Sequence, residues 1–230
     1  MMRRLIAPSW HPSAVLLTVQ LLGVLLYPFM DGPAGRAALS LFGLVVLVFA
    51  VRAVQATPAL TAVSLVLGVP ILVLTLIEVV QELPPPLLLL HASLLAAFYF
   101  YTCYALIRYM FHDRIVTPDE LFATGATFTV LAWAFAYVYQ AVQVIWPGSF
   151  AAGSGGSPPF AWFELLFLSF TNLTSVGLSD IVPVLPNARS VVMIEQVAGL
   201  MYVALVISRV VALQASRARA EVARISGEAE

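Results

Sequence analysis

Thr174-Ser175-Val176-Gly177-Leu178-Ser179-Asp180 is the stretch on which the reading of this chain turns. It is small, polar and centred on a glycine, yet apolar segments flank it, Phe160–Leu173 before and Ala188–Gln214 after. What such a stretch does depends on whether its flanks are soluble core or membrane.

Composition decides that question. Of 230 residues, 61% are hydrophobic and only 10% are charged, with a mean hydropathy of +0.97. A soluble domain carries about 25% charge. The apolar residues run in blocks of roughly 18 or more, long enough for a bilayer core of about 30 Å. An all-α integral membrane protein is expected, with six spanning helices near Ser13–Met30, Ala37–Gln55, Ala59–Val80, Leu87–Tyr109, Leu121–Ile145 and Ala188–Gln214. Turn chemistry separates them: Asp31-Gly32-Pro33, Thr57-Pro58, Pro84-Pro85-Pro86, Thr117-Pro118 and Trp146-Pro147-Gly148. Thr117-Pro118-Asp119-Glu120 reads as a helix start, with a cap, a first-position proline and acids in the first turn. Gly68 and Pro70 predict a kink in the third helix. Met1-Met2-Arg3-Arg4 begins like a signal peptide, but Ala14–Met30 lacks a small-residue cleavage site and stays a membrane helix.

All eleven basic residues are arginine. With a cytoplasmic N-terminus, Arg3, Arg4, Arg52, Arg108, Arg114, Arg209, Arg217, Arg219 and Arg224 fall inside and only Arg36 and Arg189 outside. That bias obeys the positive-inside rule, and six crossings return the C-terminus to the cytoplasm.

Between the fifth and sixth spans, Ser149–Pro159 is a Gly/Ser/Pro-rich external loop. Phe160–Leu173 is apolar but about 14 residues long, too short to span at 1.5 Å per residue. A short apolar helix of this size is a re-entrant candidate, and Thr174–Asp180 follows directly. Backbone that is not helical is tolerated at membrane depth only against protein or a water-filled path. Small residues there let main-chain carbonyls line such a path, and carbonyls can replace the water shell of a cation.

The residues carrying this pattern read Ser169-Phe170-Thr171-Asn172-Leu173-Thr174-Ser175-Val176-Gly177-Leu178-Ser179-Asp180-Ile181-Val182-Pro183. They resemble the tetrameric potassium-channel superfamily, closest to bacterial pore-loop channels with S-F-x-T-L-T-T-V-G-Y-G-D-I-x-P. Pro186, Arg189, Glu195 and Gly199 also stand where that family often has them. The resemblance spans Phe160–Gln214, about a quarter of the chain. It implies a potassium-conducting homotetramer in a prokaryotic plasma membrane, with a selectivity filter formed by Thr174, Ser175, Val176, Gly177, Leu178 and Ser179. Potassium would sit at the carbonyls of Ser175, Val176, Gly177 and Leu178. Asp180 would stand at the outer mouth, and Gly199 would be a gating hinge. Three regions are implied: 1–116, a four-helix membrane domain; 117–216, the pore domain; and 217–230, a short cytoplasmic tail.

Two departures matter. Ser179 replaces the second filter glycine, whose backbone region a Cβ disfavours. Leu178 replaces an aromatic residue whose phenol braces the filter. The inner half, Ser175–Gly177, is therefore expected to be conventional and the outer half altered, which opens the alternative of a non-selective monovalent cation channel. Gly199 reads equally well as a packing residue. Asp180 can be a solvated acid, and Glu195 can pair with Gln196 or a polar group behind the filter, or face an external crevice.

The first four helices lack the charges of a voltage sensor, since Leu87–Ile107 contains no arginine and each transferred charge contributes only about 2.3 kcal/mol per 100 mV. Glu78 reads as an acid near the outer boundary, and Tyr99, Tyr101, Tyr104 and Tyr109 as packing and interface residues. Cys103 reads as packing, and His11, His91 and His112 lack ligand spacing. The arginines from Arg209 to Arg224 suit either anionic lipid or solvent. No cofactor is expected beyond the permeant K+ or Na+, and no nucleic acid, small-molecule substrate or cytoplasmic ligand domain. The other classes considered are a transporter, for which only one broken segment is visible, a non-conducting sensor or assembly subunit, and a membrane protease using Ser154, which has no nearby histidine.

Overall fold

The protein is described by a computed structural model over residues 11–29, 46, 61–111, 118–153 and 158–227. Its elements follow the hydropathy blocks. Helix α1 spans Pro12–Leu26 and runs into a 3-10 turn at Tyr27–Phe29. Helices α2 (Thr61–Val80), α3 (Pro85–Met110) and α4 (Pro118–Ile145) follow. Then come strand β1 (Phe150–Ala152), the short helix α5 (Trp162–Leu173), strand β2 (Ile181–Pro183) and the long helix α6 (Pro186–Gly227).

Among the described residues, four stretches are long and apolar enough to cross a membrane: Pro12–Phe29, Pro85–Met110, Asp119–Ile145 and Pro186–Val211. Val66–Val80 within α2 is a shorter apolar helix. The expected span Ala37–Gln55 lies outside the described residues except for Val46, which is helical and buried. Prolines open α3, α4 and α6, where a missing N–H leaves no bond unmade. Pro70 stays inside α2. The final helix continues past Gln214 to Gly227 without a break.

Helix α4 is the hub, packed by α1, α3, α5 and α6. Ala126, Ala132, Ala134 and Ala136 are fully buried along it. Small side chains let helices approach closely where lipid supplies no hydrophobic driving force of its own. Aromatic rings fill the rest. Tyr99 stacks on Tyr137 at 5.7 Å and Trp133 meets Trp162 edge-on at 4.9 Å, joining α3, α4 and α5. Cys103 is buried in this core, while Tyr104 lies on the surface.

In the single chain α6 keeps a bare apolar face that includes Val197, Leu200 and Met201. Lipid or another membrane chain is the physical complement of such a surface.

Candidate functional site

The site is built around the C-terminal end of α5. This helix has 12 residues, about 18 Å of rise against a core of about 30 Å. Its start is fixed twice. Glu164 accepts a hydrogen bond from the Ala161 N–H at 2.6 Å. Gln143 of α4 accepts from the Phe160 N–H at 3.0 Å and donates to the Phe160 carbonyl at 2.9 Å.

Its end is closed by a Schellman arrangement. The Ser175 N–H bonds the Asn172 carbonyl at 2.9 Å, and the Val176 N–H bonds the Thr171 carbonyl at 3.0 Å. Ser175 takes the left-handed conformation, φ 59°, that this cap requires and that glycine usually fills. The Gly177 N–H then also bonds the Thr171 carbonyl, at 2.9 Å. In a trans peptide the N–H and C=O of one unit point opposite ways. Three consecutive N–H groups face α5, so the carbonyls of Thr174, Ser175 and Val176 face away from it. The segment itself is exposed, with Val176 at 57% and Leu178 at 76%. Gly177 is left-handed at φ 69°, with open space where a Cβ would stand.

The end of the stretch differs. Among the described residues Ser175 is the only non-glycine with positive φ, so Ser179 does not take the left-handed conformation. Its hydroxyl instead accepts from the Ile181 N–H at 3.1 Å. Beyond it, β2 pairs antiparallel with β1, with Phe150 opposite Pro183 and Ala152 opposite Ile181. The Asp180 carbonyl accepts from Gly153 at 3.0 Å, and the Asp180 residue is exposed. The expected loop Ser149–Pro159 thus contains a strand. Its partner lies some 30 residues away, and a short segment takes its strand character from such context. Ser154 lies outside the described residues.

Behind α5, three helices meet on one carboxyl group. Glu195 of α6 is fully buried. The Tyr139 hydroxyl of α4 bonds one of its oxygens and Ser169 of α5 contacts the other. The Ser169 hydroxyl also lies 2.8 Å from the Ala132 carbonyl, and the Asn172 amide donates to Tyr139 at 3.4 Å. Of the two places left open for Glu195, the structure occupies the one behind the segment. One turn on, Gly199 lies against the Leu173 backbone. A Cβ there would collide with the Leu173 carbonyl oxygen, 2.9 Å from its carbon and 3.1 Å from Cα.

A second polar cluster lies at the other end of α4. Asp119 accepts from the Ser13 N–H at 3.2 Å and hydroxyl at 2.9 Å, and from Tyr109 at 3.1 Å. Glu120 pairs with Arg209 of α6 at 2.8 Å, and the guanidinium lies 4.8 Å from the Phe111 ring centre. The sequence marks these acids only as first-turn residues, because their partners are 89 and 106 residues away. Glu78, read as an interfacial acid, lies 3.4 Å from the buried His91, which also meets Thr75 at 3.1 Å.

No curated protein and no solved structure matches the chain. Residues 125–214, from α4 through α5 and the pinned segment into α6, match a family model described as an ion channel. That match and the apolar spans support an ion channel in a membrane.

Proposed function

We propose that four copies of this chain surround one axis and form a passive, potassium-conducting cation channel. In this reading α5 is the pore helix, Thr174–Ser179 the filter and α6 the inner helix. The observation that carries it is the row of outward carbonyls at Thr174, Ser175 and Val176, set by three N–H bonds to the end of α5. One chain supplies one row, and four rows make the rings that replace an ion's hydration shell. Closed rotational symmetry is the economical way to bring identical rows together.

An ion passes the Asp180 carboxylate, sheds water onto the filter carbonyls and leaves through a cavity beside α6. The carbonyl end of α5, the negative pole of its dipole, favours a cation there. Voltage dependence is weak, because no arginine lies between Leu87 and Ile107 to move through the field.

The geometry of Ser179 favours a second reading, a channel that also passes sodium. Its hydroxyl is tied to Ile181, and its backbone lacks the left-handed turn of Ser175 and Gly177. Fewer ordered carbonyl layers weaken discrimination between the two ions.

Flux from liposomes holding the purified chain tests both readings. Potassium flux well above sodium flux supports the first, and equal fluxes the second. If neither cation moves under any gradient, the channel reading gives way to a non-conducting subunit.

A further inference from the structure

In a filter of this type an aromatic side chain ties the filter to its pore helix, and here Leu178 has no group to do so. Leu178 is 76% exposed in the single chain. The orientation of α5, and with it the direction of the carbonyls of residues 174–176, must be held from the opposite side. We infer that Glu195 is the positioning residue that holds it. The inference rests on the filter reading proposed above.

The connection is continuous. From Glu195 it runs through the Tyr139 hydroxyl to the Asn172 side chain at 3.4 Å. The Asn172 carbonyl accepts from the Ser175 N–H at 2.9 Å, and that peptide unit carries the Thr174 carbonyl. A parallel branch runs from Glu195 through Ser169, one turn before the helix end. Every member is buried: Glu195 and Tyr139 fully, Ser169 fully, and Asn172 at 6% exposure.

Hydrogen counting limits the group at position 195. Ser169 has one hydroxyl proton and two oxygens within reach, the Ala132 carbonyl at 2.8 Å and Glu195 Oε1. Tyr139 spends its single proton on Glu195 Oε2. The count closes if both hydroxyls donate to the group at 195, and it closes equally if that group accepts from Tyr139 and donates to Ser169, leaving the serine proton for Ala132. A carboxyl bearing its proton does the second, and so does a carboxamide of the same shape. An aliphatic side chain does neither, and a partly satisfied buried network is worse than none.

The experiment compares permeability ratios of full-length chains reconstituted in liposomes. The variants are Glu195→Gln, Glu195→Leu, Tyr139→Phe and Ser169→Ala, read by reversal of flux in opposed potassium and sodium gradients. Glu195→Gln keeps the wild-type ratio within about twofold, while Glu195→Leu lowers potassium preference about tenfold and the two hydroxyl deletions about threefold each. Tyr139→Phe has no further effect on top of Glu195→Leu. A purely structural role would lower thermal stability across the set and leave the ratio of the surviving channels unmoved. If Glu195→Leu fails to assemble, Tyr139→Phe and Ser169→Ala decide alone. Wild-type ratios in both overturn the inference while the channel reading stands. A wild-type chain that passes neither ion overturns the channel reading and the inference with it.

Discussion

Replacing Gly199 by alanine separates two roles for this position with opposite signs. If Gly199 serves as a flexible point in α6, alanine stiffens the helix and adds about 1 kcal/mol of helix propensity. The geometry points to contact. An added Cβ would stand 2.9 Å from the Leu173 carbonyl carbon, whereas carbon atoms pack at about 3.5–4.0 Å. Relieving that carbon contact alone takes about 0.6 Å, and the Leu173 carbonyl oxygen, which lies nearer still, requires more. The obstacle is backbone, the last residue of α5, so no rotamer change relieves it. Overpacking of this kind costs about 1–3 kcal/mol. A rigid obstacle sits at the upper end, and after the propensity gain a net loss of about 2 kcal/mol remains. Thermal unfolding in detergent, followed by tryptophan fluorescence, measures it, since Trp133 and Trp162 pack together beside α5. A Gly199→Ala chain as stable as the wild type, or more so, refutes the close-contact argument.

Three other perturbations have defined outcomes. Arg209→Met leaves Glu120 buried, the pair being only 13% and 6% exposed at the side chains. The expected loss is about 3–5 kcal/mol, recovered in large part by adding Glu120→Gln, and the same unfolding assay reads both. Gly177→Ala costs about 1–2 kcal/mol from backbone conformation alone, because its Cβ would meet nothing within 4 Å. A D-alanine introduced there by semisynthesis should be neutral. Cys103, 5% exposed, should resist a membrane-permeant maleimide in the folded protein and react fully after unfolding in SDS. Fast labelling of the folded chain would contradict its placement in the core.

Much of the architecture is legible in the chain because it depends on local quantities. Blocks of apolar residues mark α1, α3, α4 and α6; Thr117-Pro118 marks the start of α4, and α3 and α6 begin two residues before the expected Leu87 and Ala188. The shortness of Phe160–Leu173 marks α5 as different, because rise per residue needs no knowledge of neighbours. The sequence places a serine at 179 in the stretch, and in the structure that residue is not left-handed and its hydroxyl accepts from Ile181.

Contacts across the chain are not legible in this way. The strand at Phe150–Ala152 looks like loop until Ile181–Pro183 lies beside it. Glu120 and Arg209 look like two surface charges until α6 folds back on α4. Glu195 shows itself as an acid in an apolar helix, but only folding brings Tyr139 and Ser169 to its two oxygens. Gly199 is the sharpest case, since a glycine in a helix reads as flexure or as close packing with equal ease. Hydropathy and chain geometry act within a segment, so the residues alone determined a membrane protein with a short helix and a carbonyl-rich turn. Hydrogen-bond partners and steric contacts depend on which segments meet, so tertiary packing decided what holds that turn in place.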